Sequence, residues 1–83
     1  MSAAEVEPLV RGFLRDTIGL ADTDVGPDTE LVTTGLVDSV GLVRLAALLE
    51  TSCGIRIPDR DIVADHFDTL RAITAYVQRK RAG

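Results

Sequence analysis

Gly35-Leu36-Val37-Asp38-Ser39-Val40-Gly41-Leu42-Val43-Arg44-Leu45-Ala46-Ala47-Leu48-Leu49-Glu50 is the stretch on which the fold of this chain turns. A turn glycine and an acidic residue lead into a long apolar run with the period of a helix. At about 100° per residue, Leu42, Leu45, Ala46, Leu49 and Cys53 fall on one face, and Val40, Val43, Arg44, Ala47 and Thr51 on the other. The helix is predicted to begin at Asp38 or Ser39 and to run to about Thr51. Its first face is the core stripe. The second would be charged if it met only water, yet it is apolar apart from Arg44 and Thr51. Scattered exposed apolar residues are ordinary, but Val40, Val43 and Ala47 adjoin one another next to a serine. They suggest a docking surface.

Upstream, Ser2-Ala3-Ala4-Glu5 matches a capping box, in which hydroxyl and carboxylate each accept a backbone N–H at a helix start. Val6, Leu9, Val10, Phe13, Leu14 and Ile18 then form one apolar stripe. The spacing predicts a helix over about residues 3–18, stopped at Gly19. Residues 19–37 read as a long connection broken by Asp22, Asp24, Gly26, Pro27, Asp28 and Gly35. Such length is unusual in a small domain and is usually functional or partly ordered. Leu31 and Leu36 are expected to be buried and to pin it. The acidic spacing of Asp22, Asp24 and Asp28 fails as a calcium loop, since Pro27 stands where a turn glycine is needed and Thr33 where a bidentate glutamate is needed. A solvated acidic loop is the expectation.

Downstream, Gly54 ends the central helix. Ile55-Arg56-Ile57-Pro58 alternates like a strand, but a lone four-residue strand cannot make a sheet, so an extended linker burying both isoleucines is predicted. A short helix is expected within Asp59–Phe67, with Ile62 and Phe67 inward. Asp68 or Thr69 caps a last helix with Leu70, Ile73 and Val77 inward. The sum is an all-α fold: three main helices, one short helix and one long loop in a small bundle. Residues 1–83 read as a single domain with its core over about 3–80.

Composition bounds the function. Eighty-three residues suffice for one small domain, and 46% hydrophobic residues with 4% aromatics imply a core of Leu, Ile, Val and Ala. No apolar stretch approaches the ~18 residues of a membrane span, and the N-terminus lacks the features of a secretory signal. A cytoplasmic protein is the default, with no membrane partner. A net charge of −4 argues against nucleic acid. Arg79-Lys80-Arg81 reads as a helix C-terminus whose cations suit the dipole. The single cysteine, Cys53, excludes an internal disulfide and any multi-cysteine zinc site, so no metal site is expected.

Ser39 is the residue that can carry chemistry. As a nucleophile it needs a base, and His66 is the chain's one histidine. No G-x-S-x-G elbow surrounds the serine, and the core leaves little room for a pocket. His66 is expected to pack beside Phe67, and Cys53 to act as a small hydrophobe. Ser39 could be the helix cap. Asp38 could serve as that cap equally well, which would free the hydroxyl. An anion attached there would meet the positive end of the helix. Spacing alone does not choose between cap and attachment point.

From about Val6 to Val77 the chain resembles the acyl carrier proteins, small four-helix bundles that hold a phosphopantetheine arm. The resemblance rests on Asp28-x-x-Leu31, on Gly35-Leu36-Val37-Asp38-Ser39-Val40, on Leu45-x-x-x-Leu49-Glu50, on Ile55-x-Ile57-Pro58 and on Thr69-Leu70-x-x-Ile73-x-x-Tyr76-Val77. It implies that Ser39 receives 4′-phosphopantetheine from coenzyme A through a separate phosphopantetheinyl transferase. The protein would then catalyse nothing alone and would carry a thioester between enzymes. For Asp38 the resemblance implies a role in capping, in transferase recognition or in metal positioning during the transfer. The partners implied are that transferase, an acyl- or aminoacyl-loading enzyme and a downstream synthase or transferase.

Leu-Val-Asp-Ser is unlike the Gly-Gly-x-Ser of peptidyl carriers in nonribosomal synthetases. It points to an acyl carrier or to a stand-alone aminoacyl carrier similar to the D-alanyl type. The second helix of housekeeping fatty-acid carriers is markedly acidic on its outer face, whereas here Arg44 sits within Val40, Val43 and Ala47. A monomeric carrier of a specialised, polyketide-like pathway is the expectation, docking partners through those four residues. An unmodified helical interaction module is the alternative from another class.

Overall fold

The computed structural model describes residues 3–82, and the capping box predicted around Ser2 lies partly outside them. The elements are α1 (Ala3–Ile18), α2 (Ser39–Cys53), α3 (Ala64–Phe67) and α4 (Leu70–Ala82), with single 3₁₀ turns at Asp22–Asp24 and Asp59–Asp61. No strand occurs among the described residues. The architecture is the expected small all-α bundle of three main helices and one short one.

The stripe of α1 folds inward as its spacing requires. Val6, Val10 and Leu14 are buried, while Leu9, Phe13 and Ile18 pack at the margin of the core. The helix stops where Gly19 turns to φ 82°. There the Gly19 N–H donates to the Arg15 carbonyl at 3.0 Å and the Leu20 N–H to the Leu14 carbonyl at 3.3 Å. The first of these is the 5→1 bond of an αL close, which needs a residue free to adopt a left-handed backbone. From α2 the core receives Leu42, Leu45, Ala46 and Leu49, with Cys53 packed against its edge. From α4 it receives Leu70, Ile73, Tyr76 and Val77, and α3 adds Phe67. Each fully buried Leu, Val or Phe contributes about 1.5–3 kcal/mol.

Tyr76 is an inward residue that the sequence reading left out, although it lies three positions after Ile73 on the same face. Its hydroxyl donates to Asp61 Oδ2 at 2.7 Å, tying the segment before α3 to α4. That bond is a reason to spend a tyrosine on a buried position. Ile57 is buried as expected, and its N–H donates to Glu50 Oε2 at 2.9 Å. Ile55 and Ile62 are only partly buried.

The long α1–α2 connection is fastened at three stations. Arg11 Nη1 donates to the Val25 carbonyl at 2.6 Å. Arg71 Nε and Nη2 donate to the two carboxylate oxygens of Asp28 at 2.7 and 3.2 Å, and the Arg71 N–H donates to the Pro27 carbonyl at 3.1 Å. Asp68 holds the third station, at Leu31–Thr33. Asp24 and Asp28 stay exposed to water as expected, Asp28 even while paired with Arg71 of α4. One expectation is corrected here. Leu36 is not buried: it is 40% exposed, and Val25 and Val37 join Leu31 in the core instead. The chain turns at Gly35 (φ 81°) and bends through Leu36 and Val37, and only Val37 is brought inside.

Candidate functional site

The site is the start of α2. Asp38 has an extended backbone (φ −85°, ψ −178°) and precedes the first helical residue, Ser39. Asp38 Oδ1 accepts the Gly41 N–H at 2.7 Å, while its own carbonyl accepts the Leu42 N–H at 2.9 Å. The aspartate is therefore the N-cap, satisfying a donor that the helix start would otherwise orphan. Gly41 makes room for it. A Cβ at that position would lie 3.3 Å from Asp38 Oδ1 and 3.3 Å from Val37 Cγ1, so the closeness of cap and helix depends on a residue without one.

Because Asp38 holds the cap, Ser39 is left over. It is exposed, and its hydroxyl makes no hydrogen bond among the described residues. The N–H groups of Ser39 and Val40 likewise have no protein acceptor there, which leaves helix-start donors open beside the serine. These features suit a phosphodiester: an accessible hydroxyl that the fold does not use, at the positive end of a helix.

Around it, the residues predicted to meet partners are all on the surface. Val40 is 61% and Val43 57% exposed, and Arg44 and Ala47 are exposed beside them. Leu36 extends the same apolar patch, a member the sequence reading missed by placing it in the core. A shallow groove of about 440 Å³ separates the end of α1, at Thr17 and Ile18, from Val40 and Arg44. Arg44 makes no ion pair among the described residues, while Glu50, the other charge on α2, is occupied by Ile57.

The hydrolase constellation does not assemble. The His66 ring packs against Tyr76, tilted by 45° at a centroid distance of 4.9 Å, and meets Phe67 edge-on at 6.5 Å. Cys53 is partly buried, and burial, reinforced by the Glu5 carboxylate, pushes its thiol above the usual range and disfavours the reactive thiolate. Among the described residues no three His, Cys, Asp or Glu side chains converge as a metal site. No helix there is long and apolar enough to cross a membrane.

A small helical bundle that exposes a serine hydroxyl beside an aspartate-capped helix start has the form of a carrier protein rather than an enzyme. The sequence comparisons agree. Residues 8–77 match the family model described as "Phosphopantetheine attachment site". The chain is 28% identical over 80 residues to the meromycolate extension acyl carrier protein of Mycolicibacterium smegmatis, covering 93% of this chain and 79% of that one. It is 33% identical over 70 residues to the D-alanyl carrier protein of Lacticaseibacillus casei, covering 84% and 86% respectively. The chain belongs to the phosphopantetheine-binding carrier protein family, whose members are non-catalytic carriers bearing a 4′-phosphopantetheine group.

Proposed function

We propose that this chain is one carrier domain, with its arm joined to Ser39, that presents an acyl thioester to the enzymes of a specialised biosynthetic pathway. The observation that carries the assignment is the division of labour at the start of α2. Asp38 caps the helix at 2.7 Å and leaves the Ser39 hydroxyl exposed and structurally idle. When bound, the phosphopantetheine supplies a terminal thiol on which cargo rides as a thioester. The chain's own residues hold the near end: Ser39 through its oxygen, and the first turn of α2 through its free N–H groups. Asp38 sits beside that phosphate and keeps the turn formed. It also offers a carboxylate for the transferase to read.

Val40, Val43, Arg44 and Ala47 form the surface that the transferase, the loading enzyme and the downstream synthase meet. Its scarcity of acids supports a dedicated pathway, polyketide-like or loading an unusual small acyl unit, over general fatty-acid synthesis. The protein works as a monomer in the cytoplasm, visiting partners in turn. A second reading, an aminoacyl carrier, is favoured by the 33% identity to a D-alanyl carrier protein.

The test is to incubate the protein with coenzyme A and a promiscuous phosphopantetheinyl transferase and to weigh it. A mass gain equal to the arm, absent in Ser39→Ala, is expected. An unmodified wild-type protein would leave only a helical interaction module. Loading the holo form with acyl and aminoacyl donors then separates the two cargo classes.

A further inference from the structure

The third fastening of the long loop is built on one side chain. Asp68 lies between α3 and α4, bracketed by the buried Phe67 and Leu70. Thr69, not Asp68, caps α4, since Thr69 Oγ1 accepts the Ala72 N–H at 3.0 Å. Asp68 is thereby free to face the loop. Its Oδ1 accepts the N–H groups of Val32 and Thr33 at 2.8 and 2.9 Å. Its Oδ2 accepts the Thr33 hydroxyl at 2.7 Å, and its carbonyl accepts the Leu31 N–H at 2.7 Å. These bonds hold the carboxyl below the usual carboxylate range, the Thr33 hydroxyl first among them.

The clamp continues to the serine. The Val37 N–H donates to the Leu31 carbonyl at 2.9 Å, closing residues 31–37 into a loop whose two ends are buried. With Leu31 and Val37 both inside, the intervening residues are displayed, Leu36 among them. Val37 is followed directly by the cap Asp38 and by Ser39. The segment that leads into the serine is thus set by a carboxylate 29 positions beyond Ser39 in sequence, on the far side of the loop.

We infer that Asp68 is a positioning residue for attachment of the arm: it holds Leu36–Asp38 in the shape that the transferase must recognise around Ser39. This rests on the carrier reading above. A loop fixed by several bonds to one rigid point presents its residues ready-made. Cutting them leaves the transferase to order the loop at each encounter, which weakens binding more than turnover.

The experiment is arm transfer from coenzyme A by a promiscuous phosphopantetheinyl transferase, followed by mass, on the full chain at a temperature where circular dichroism shows each variant folded. For Asp68→Ala a fall of about tenfold in kcat/KM is expected, carried chiefly by KM. Asp68→Asn keeps an oxygen for the Val32 and Thr33 amides and should recover most of the rate. Thr33→Val, which loses only the hydroxyl bond, should fall about two- to threefold. Asp28→Ala cuts a different fastening of the same loop and should stay within about twofold of wild type. Hydrogen exchange at Val32, Thr33 and Val37 should speed up together in Asp68→Ala.

A folded Asp68→Ala with wild-type KM overturns the inference, as does an equal loss in Asp28→Ala. If Asp68→Ala does not fold, the milder pair decides, and a Thr33→Val protein with unchanged KM and unchanged exchange at Val37 overturns it. Failure of the wild-type protein to gain the arm overturns the carrier reading itself and this inference with it.

Discussion

The Asp38 carboxylate and the Gly41 N–H meet at 2.7 Å, and this one contact separates stability from chemistry at the start of α2. Asp38→Ala should destabilise the protein by about 1 kcal/mol, the ordinary value of a lost N-cap. Ser39→Ala, one position on, should change stability by less than about 0.5 kcal/mol while abolishing arm uptake. Urea denaturation of the two variants beside wild type checks the pair. A Ser39→Ala loss as large as that of Asp38→Ala would show that the serine shares the cap.

Gly41→Ala tests the same contact from the other side. Alanine favours a helix over glycine by about 1 kcal/mol. Here the added Cβ would stand 3.3 Å from both the capping oxygen and the Val37 side chain. Val37 is 2% exposed and packed in the core, so the crowding is expected to outweigh the propensity. A net loss of about 1 kcal/mol in urea is expected. A stabilised Gly41→Ala would mean that the first turn yields more easily than its packing suggests.

Three aspartates make stability depend on acid. The Thr33 hydroxyl and neighbouring amides depress the Asp68 carboxyl, the Tyr76 hydroxyl depresses that of Asp61, and the Arg71 guanidinium depresses that of Asp28. A carboxyl whose folded pKa lies below its unfolded value of about 3.9 contributes fully above that value. The contribution fades as pH falls through it toward the lowered folded value. The urea midpoint should therefore hold steady from pH 7 to about pH 5.5 and drop below about pH 4.5. Asp68→Asn should start lower and decline less steeply. A decline as steep in this variant as in wild type would remove Asp68 from the explanation.

Tyr76 is the buried tie between α4 and the segment ahead of α3. Its hydroxyl is raised well above the ordinary phenol range, by burial first and by Asp61 second, so it remains a donor at all working pH values. Tyr76→Phe keeps the ring against His66 and Phe67 and removes only the bond to Asp61. A loss of about 1 kcal/mol is expected, and a cycle with Asp61→Ala should show coupling of similar size. Additive losses would mean that the hydroxyl and the carboxylate do not act on each other.

The helices were legible because their residues repeat. Val6, Val10 and Leu14 in α1 and Leu42, Leu45 and Leu49 in α2 declare a buried stripe without any knowledge of the partner helix. The start of α2 was legible too, since Asp38 and Ser39 sit at a start signal. The loop was harder, because no period governs it. Leu36 is the more hydrophobic neighbour, yet Val37 is the one inside, in a turn closed by the bond from its N–H to the Leu31 carbonyl. Asp68 reads locally as a cap for α4. Only the fold reveals that Thr69 takes that duty and that the carboxylate turns to Val32 and Thr33, more than thirty positions earlier. Long-range hydrogen bonds of this kind leave no local pattern to read.

Arg44 carries the last prediction. It is the one charge on the outer face of α2 among the described residues, bordered by Val40 and Val43 at 61% and 57% exposure. If this face docks partners as proposed, apolar contacts there supply affinity, while the cation selects a partner whose own rim bears a carboxylate and slows one whose rim is basic. Arg44→Glu leaves the fold alone, since the side chain has no ion pair to lose among the described residues, and reverses that selection. With holo protein, transfer by an enzyme of acidic docking rim should fall about tenfold in kcat/KM at low salt, and the deficit should shrink as ionic strength rises and screens the repulsion. An enzyme with a basic docking rim should gain under the same conditions. Val43→Ser should weaken both alike, with little salt dependence, because it removes apolar area rather than charge. Unchanged rates for Arg44→Glu with every cognate partner would sink the idea that this face decides which enzymes read the cargo.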